Sequence, residues 1–344
     1  MQKNKLILLT LSISLVISLI ITVGLGAVEI EPIELIGILL KKIGIESNIQ
    51  FTLQQENVAW IIRLPRIIMS VMIGASLATS GIAMQGLFRN PLADPSIIGV
   101  SAGAALAAAI CIVVLDSAIT SNISLIGVST LSIITFLGAI ISTIFIFNLS
   151  KNKGVTLITT MLLAGIAINA LAGASTGLLT YMATDSQLRS MTFWTLGSLG
   201  GANWMNVSII SVTTICSIFV LKSFHKSFNA LALGEKEAEH MGVNVEKLKK
   251  TVIIFTSLTI GTSVAFCGII GFIGLVIPHT IRLLGITNHK ILIPASALRG
   301  ALLLNWTDTL ARTLVSPAEI PVGIITSFIG APIFLILLIK QKIK

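Results

Sequence analysis

The chain has 344 residues, of which 54% are hydrophobic and only 11% charged, with a net charge of +9. Soluble domains carry about 25% charged residues, so this composition excludes a soluble globular protein and indicates an integral membrane protein. The positive residues lie in short loops between apolar runs, which argues for a membrane setting and against a nucleic-acid partner.

Lys3 and Lys5 precede an apolar run from Leu6 to about Val23. A secretory signal has that order, but its apolar core is about 7–15 residues, so the longer run predicts a first transmembrane helix. Further apolar runs predict ten spans in all: 6–27, 59–88, 95–115, 122–149, 155–182, 203–223, 248–270, 272–285, 291–311 and 320–340. A helix needs roughly 20 residues to cross, so the eighth is too short to cross unaided. A shorter helix is predicted at 187–199, between the fifth and sixth spans. The whole chain, 1–344, reads as one transmembrane domain with halves of about 1–182 and 183–344. Cys111, Cys216 and Cys267 fall inside apolar runs and read as small core residues, not a disulfide set.

Placing both termini in the cytoplasm sorts the cations by loop. Lys3, Lys5, Arg89, Lys151, Lys153, Lys222, Lys226, Lys236, Lys247, Lys249, Lys250, Arg282, Lys290, Lys340, Lys342 and Lys344 fall inside. Lys41, Lys42, Arg63, Arg66, Arg189 and Arg312 fall outside, and Arg299 lies within the ninth span. Sixteen against six sets this orientation by the positive-inside rule.

The second span ends in "RNPLADPSIIGVSAGAALAAA", Arg89 to Ala109. Pro91 pushes Asn90 out of helical geometry and ends the helix. Asp94 can cap the next helix, and Pro95 suits its first position. The polar run therefore predicts a tight cytoplasmic turn, buried in protein or reaching water. Gly99, Gly103 and Ala107 then recur every fourth residue, a face on which another helix can approach closely.

"GASLATSGI" at 74–82 aligns with "GTSVAFCGI" at 261–269 at an offset of 187, and the same offset brings Pro91 onto Pro278. The two copies would run in opposite directions across the membrane, as in the inverted repeats of transporters. The alternative is a chance match among small residues.

A charge at the bilayer centre costs about 2.5–3.5 kcal/mol on insertion scales. Of fourteen acidic residues only Asp308 lies in a predicted span, four residues before Arg312, an order that favours a helical ion pair. No chain of carboxylates offers a proton relay, which disfavours a proton-coupled secondary transporter. His225, His240, His279 and His289 lack metal-ligand spacing, and no phosphate-cradling G-x-x-x-x-G-K-[ST] is present. The chain therefore reads as no enzyme, with no cofactor or metal of its own. The longest inner loop, 224–247, centres on "LALGEKEAEHMGV", a short polar helix between Gly234 and Gly242. It is either a solvated loop helix or a docking element for a cytoplasmic partner that supplies energy.

With "RLPR" at 63–66, the 74–108 stretch, "LGEKEAEHMGV" at 233–243, "GIIGFIGLVIPHTIRLLG" at 268–285, "DTLAR" at 308–312 and "EIPVGIITSFIGAPIFLILL" at 319–338, the chain resembles the FecCD-type permeases. These are the permease subunits of ABC importers for ferric siderophores, haem and vitamin B12. The resemblance runs in order over nearly the whole chain. It implies an all-α, type II importer permease fold with about ten transmembrane helices. It implies a second permease subunit, in a homodimer, two ATPase subunits inside and a substrate-binding protein outside.

Residue by residue, the resemblance assigns Arg63, Arg66 and Arg312 to docking of the binding protein at the outer mouth, the side on which the loop count also places them. It assigns Leu233, Gly234, Glu235, Ala238, Met241 and Gly242 to coupling with the ATPase. Arg299 and Trp306 depart from the family pattern, standing where small or aliphatic residues are expected. For the cargo, "SQLRSMTFWTLGSLGGANW" at 186–204 looks most like the haem-importing branch, with siderophore or cobalamin as the alternative. Arg189 would steer propionates and Trp194 would offer an aromatic face, although Trp194 and Trp204 equally suit an interfacial belt. Asn169 either lines the path or makes an interhelical hydrogen bond.

Overall fold

The computed structural model describes residues 2–26, 28–115, 124–125 and 128–342. Residues 122–123 and 126–127 of the predicted fourth span, residue 27 of the first and the cytoplasmic assignment of Lys344 lie outside the described residues, and 124–125 pairs with 128–129 as a short hairpin ahead of the helix of the fourth span. Helices fall on all ten predicted spans: α1 (Gln2–Gly24), α4 (Leu64–Leu87), α5 (Val100–Val113), α6 (Thr130–Leu149), α7 (Ile158–Met182), α9 (Trp204–Ser223), α12 (Val245–Cys267), α13 (Ile273–Leu283), α14 (His289–Thr313) and α15 (Val322–Lys342). The short helix predicted between spans five and six is α8 (Asp185–Leu196), and α10 (His225–Leu231) and α11 (Glu235–His240) lie in the 224–247 loop. Among the described residues, six helices are long and apolar enough to cross a membrane by length and composition. At eleven residues, α13 rises only about 16 Å against a core of about 30 Å, so protein must cover its ends.

The segment between α1 and α4 holds structure that hydropathy did not reveal. Pro32 opens α2 (Pro32–Lys42), where Glu31 and Glu34 close a reciprocal capping box. Thr52 and Gln55 do the same for α3 (Leu53–Asn57). A π-helical stretch, Val58–Arg63, joins α3 to α4. Pro65 is the second residue of α4. Its missing N–H interrupts the regular α ladder there.

Small residues set the packing. Gly74 of α4 faces Gly300 of α14 so closely that a Cβ on Gly74 would lie 2.2 Å from the Gly300 carbonyl oxygen. Along this pair Ser70 meets Asn305 and Arg66 meets Asp308, so numbers fall on one helix as they rise on the other and the two run antiparallel. The predicted close-approach face of α5 is occupied by α6: a Cβ on Gly103 would meet Gly138 O at 2.5 Å. At the turn before it, Asp94 Oδ1 accepts the Ser96 N–H at 2.8 Å. The helix that Asp94 caps is a single 3₁₀ turn, Pro95–Ile98. Gly99, with φ +80°, then redirects the chain into α5, a conformation that a side chain would disfavour.

Buried polar groups tie the helices internally. Asn305 Nδ2 donates to Ser18 Oγ at 2.7 Å and Thr22 Oγ1 at 3.2 Å, joining α14 to α1. Thr259 donates to Ser217 Oγ at 2.6 Å, joining α12 to α9. Cys111 and Cys267 are buried as expected, while Cys216 is exposed on α9. Arg299 and Trp306 are both half-buried on α14.

Candidate functional site

Two groups of residues stand at opposite ends of the helices. At one end, Arg66 of α4 is held by two carboxylates. Its Nε lies 3.1 and 3.0 Å from the Asp308 oxygens and its Nη2 2.9 Å from Oδ1. Its Nη1 donates to both Glu319 oxygens at 2.8 and 2.9 Å. The Asp308–Arg312 pair expected from the four-residue spacing is not formed. Asp308 faces α4 and is buried, whereas Arg312 turns to the end of α1 and donates to Thr22 O and, at 2.7 Å, to Leu25 O.

Arg63 does related work. It donates to Val23 O at 2.6 Å, to Gly24 O at 3.1 Å and to Val28 O. The last four carbonyls of a helix have no partner within it and carry its negative dipole end. Arg63 and Arg312 together satisfy three of those four in α1, so both arginines are C-terminal caps. Arg63 and Arg66 are buried, and Arg312 is half-buried. The cluster is thus a fixed array of three cations and two anions, not a set of free side chains. Glu319, with a side chain 45% exposed, is its accessible carboxylate.

At the other end, α10 and α11 form a platform. Asn229 of α10 bonds both the backbone N–H and the ring Nδ1 of His289, which holds α10 to the start of α14. Gly234 precedes α11 with φ +142°, and a Cβ there would fall 1.9 Å from Glu237 Oε2. Gly242 closes the motif with φ +81°. Ala238 is fully buried beneath α11, while Leu233 and Met241 are 67% and 64% exposed at its two ends. Two large apolar side chains thus project beside a charged helix whose own core contact is an alanine.

The three residues offered for the pathway have separate surroundings. Asn169 Nδ2 donates to Ser96 O at 3.2 Å, the interhelical bond that was one of its two readings. Trp194 is half-buried and packs on the core, and its carbonyl oxygen lies where a Cβ on Gly268 would come within 2.1 Å. Arg189 is exposed on α8, as is Phe193 four residues on. Next to Trp194, a crevice of about 610 Å³ runs between α8, the break at 268–272 and α15, lined by Thr195, Leu196, Ile269, Gly323, Ser327 and Phe328. Sequence reasoning missed the pairing of Trp60 with Trp204. Their ring centroids are 4.8 Å apart, and the Trp204 indole donates to Trp60 O at 3.0 Å. No spacing rule links positions 144 residues apart.

Residues 14–340 match the model of the FecCD transport family. The chain belongs to that family. It is 45% identical over 289 residues to the hemin transport system permease protein HmuU of Yersinia pestis, covering 82% of this chain and 84% of the relative. It is 38% identical over 283 residues to the cobalamin import system permease protein BtuC of Halobacterium salinarum, covering 82% and 73%. A solved metal-chelate type ABC transporter in an inward-facing conformation superposes with a TM-score of 0.82 at 34% identity, covering 97% of this chain and 99% of that one. The FecCD resemblance and the type II importer permease fold therefore hold. The FecCD chain is a multi-pass membrane permease subunit of an ABC importer, and hydrolysis of ATP belongs to a separate ATPase.

Proposed function

We propose that this permease moves haem across the cytoplasmic membrane, as one half of a homodimer with two ATPase subunits inside and a substrate-binding protein outside. The observation that carries the cargo is the 45% identity to a hemin permease. The whole chain, 1–344, acts as one transmembrane domain with both termini cytoplasmic. The platform of Leu233, Gly234, Glu235, Ala238, Met241 and Gly242 receives the ATPase, supported by the exposure of Leu233 and Met241 beside a glycine-bounded helix. Arg63, Arg66 and Arg312 meet the binding protein as a fixed positive cluster, whose field steers an acidic partner. Arg189, exposed on α8, meets the haem propionates, and Trp194 and Asn169 belong to separate stretches of the pathway.

The deciding experiment is uptake by proteoliposomes holding the permease, its ATPase and its binding protein, offered haem, a ferric siderophore or cobalamin in parallel. ATP-dependent accumulation of haem above the other two is expected. Accumulation of siderophore or cobalamin without haem overturns the cargo and leaves the family unchanged. An Arg189→Ala permease should lose haem uptake selectively.

A further inference from the structure

Lys249 lies near the cytoplasmic start of α12, on a face otherwise apolar. Its neighbours Val245, Leu248 and Val252 are buried, whereas Lys247 and Lys250 are exposed. Among the described residues it is the buried lysine, 2% exposed. Burying an ammonium is costly unless it is paired and fully hydrogen-bonded. Here it is. Nζ donates to Thr156 O at 2.8 Å, to Glu235 Oε2 at 2.8 Å and to Glu246 Oε1 at 3.2 Å. An ammonium has three donors, so none is spare.

Those three acceptors belong to three separate pieces of chain. Glu235 is the first residue of α11. Glu246 lies in the first turn of α12. Thr156 ends a two-strand hairpin, β1 (Lys151–Asn152) against β2 (Val155–Thr156), that joins α6 to α7. The Thr156 N–H donates in turn to both Glu246 oxygens at 3.1 Å, so both backbone groups of Thr156 are taken by this cluster. Two residues later α7 begins, the long apolar helix whose side chains are mostly unburied within this chain.

We propose that Lys249 is a positioning residue that carries displacement of the 235–240 helix into α7, through the backbone of Thr156. The inference rests on the reading of that helix as the ATPase platform. Lys249 touches neither Leu233 nor Met241 nor the crevice, and Glu235 is the one platform residue it holds, so it acts only by holding other groups. Without it, Glu235 and Glu246 face one another with no cation between them, and α11 is released from the hairpin.

The test uses the full complex in proteoliposomes and reads ATP hydrolysis with and without binding protein loaded with haem. Lys249→Met should retain the ATPase subunit and basal hydrolysis within about twofold, while the binding-protein-stimulated component falls at least about fivefold, the scale of coupling between sites. Lys249→Arg should restore much of the stimulation, because a guanidinium can bridge the same acceptors. A second measurement keeps native Lys249. Spin labels at Lys236→Cys and Lys153→Cys, both exposed positions, in a Cys216→Ser background, should keep one separation with and without ATP. In Lys249→Met that separation should become nucleotide-dependent. Undiminished stimulation in Lys249→Met, or a nucleotide-dependent separation with native Lys249, overturns the inference, and the latter decides it even if the methionine variant does not assemble. Undiminished co-purification of the ATPase subunit with Leu233→Asp and Met241→Asp would instead refute the platform reading and take this inference with it.

Discussion

Ser76 Oγ and Ser263 Oγ lie 3.0 Å apart, and the two serines are 187 residues apart in the chain. That separation is the offset of the internal repeat. Equivalent residues of two related copies touch each other only where the axis relating the copies passes between them. The contact falls where an axis relating two such copies would pass, at the crossing of α4 and α12. The matched glycines around it have diverged. A Cβ on Gly74 would meet Gly300, but one on Gly261 would only brush the Phe136 ring at 3.4 Å.

The serine pair should contribute little to stability by itself. Each hydroxyl also has a carbonyl of its own helix in range, Ile73 O and Thr259 O, both at 2.8 Å. Each hydroxyl has one proton, so donation between the serines competes with donation to the backbone. A double-mutant cycle of Ser76→Ala and Ser263→Ala, followed by unfolding in detergent, should give a coupling near the ~0.6 kcal/mol average for interhelical hydrogen bonds in membrane proteins. A coupling several times larger would mean that the contact is a principal fastening of the two halves.

Gly74→Val should behave very differently. Its Cβ has no space before the Gly300 carbonyl at 2.2 Å, and the obstacle is backbone, not a flexible side chain. Overpacking of a close-packed site typically costs about 1–3 kcal/mol and sometimes more. Gly173→Val is the control, since nothing lies within 4 Å of a Cβ there. Thermal unfolding in detergent should show a clear loss for the first and little change for the second. Equal melting would remove backbone contact as the reason for glycine at 74.

Much of this was legible from the sequence because lipid imposes simple rules. Length and hydropathy locate all ten helices, and the run Gly99, Gly103, Ala107 locates the face that meets α6. Side-chain direction around Arg66 was not legible. The spacing of Asp308 and Arg312 satisfies the local helical rule, yet a local ion pair contributes only about 0.2–0.5 kcal/mol. The orphan carbonyls of α1 and the buried guanidinium of Arg66 were stronger demands, and both come from elements more than 200 residues away. Lys249 left one trace, a cation at a core-facing position of α12, but its acceptors on α11 and the hairpin follow only from the fold.

The two carboxylates on Arg66 should separate stability from docking. Asp308 is 1% exposed, and Asp308→Asn leaves a buried guanidinium short of charge; breaking a buried pair in this way costs about 3–5 kcal/mol. Glu319 is 45% exposed, and Glu319→Gln should cost no more than about 1 kcal/mol. The same substitution takes one negative charge from the outer cluster, so an acidic binding protein should associate faster at low salt, with the gain screened at high salt. Stopped-flow docking at two ionic strengths gives the answer. An unchanged rate at low salt would remove the arginine cluster from the docking surface.

The inner platform can be tested without disturbing the core. Leu233 and Met241 project into solvent from either end of α11, and in isolation nothing holds them there. Exposed leucine and methionine flanking a short charged helix are what an apolar groove on a partner would cover. Leu233→Asp and Met241→Asp should therefore leave the melting temperature of the permease alone almost unchanged, because neither side chain is packed. Each should weaken co-purification of the ATPase subunit. Gly234→Trp should do the same by another route, since φ +142° is a conformation that a side chain strains, the Glu237 carboxylate at 1.9 Å must swing aside, and an indole then stands at the start of α11. The combination is diagnostic. Loss of ATPase binding in all three, with only Gly234→Trp altering the permease itself, locates the partner on this helix. Full assembly and transport with Gly234→Trp would show that the ATPase docks elsewhere.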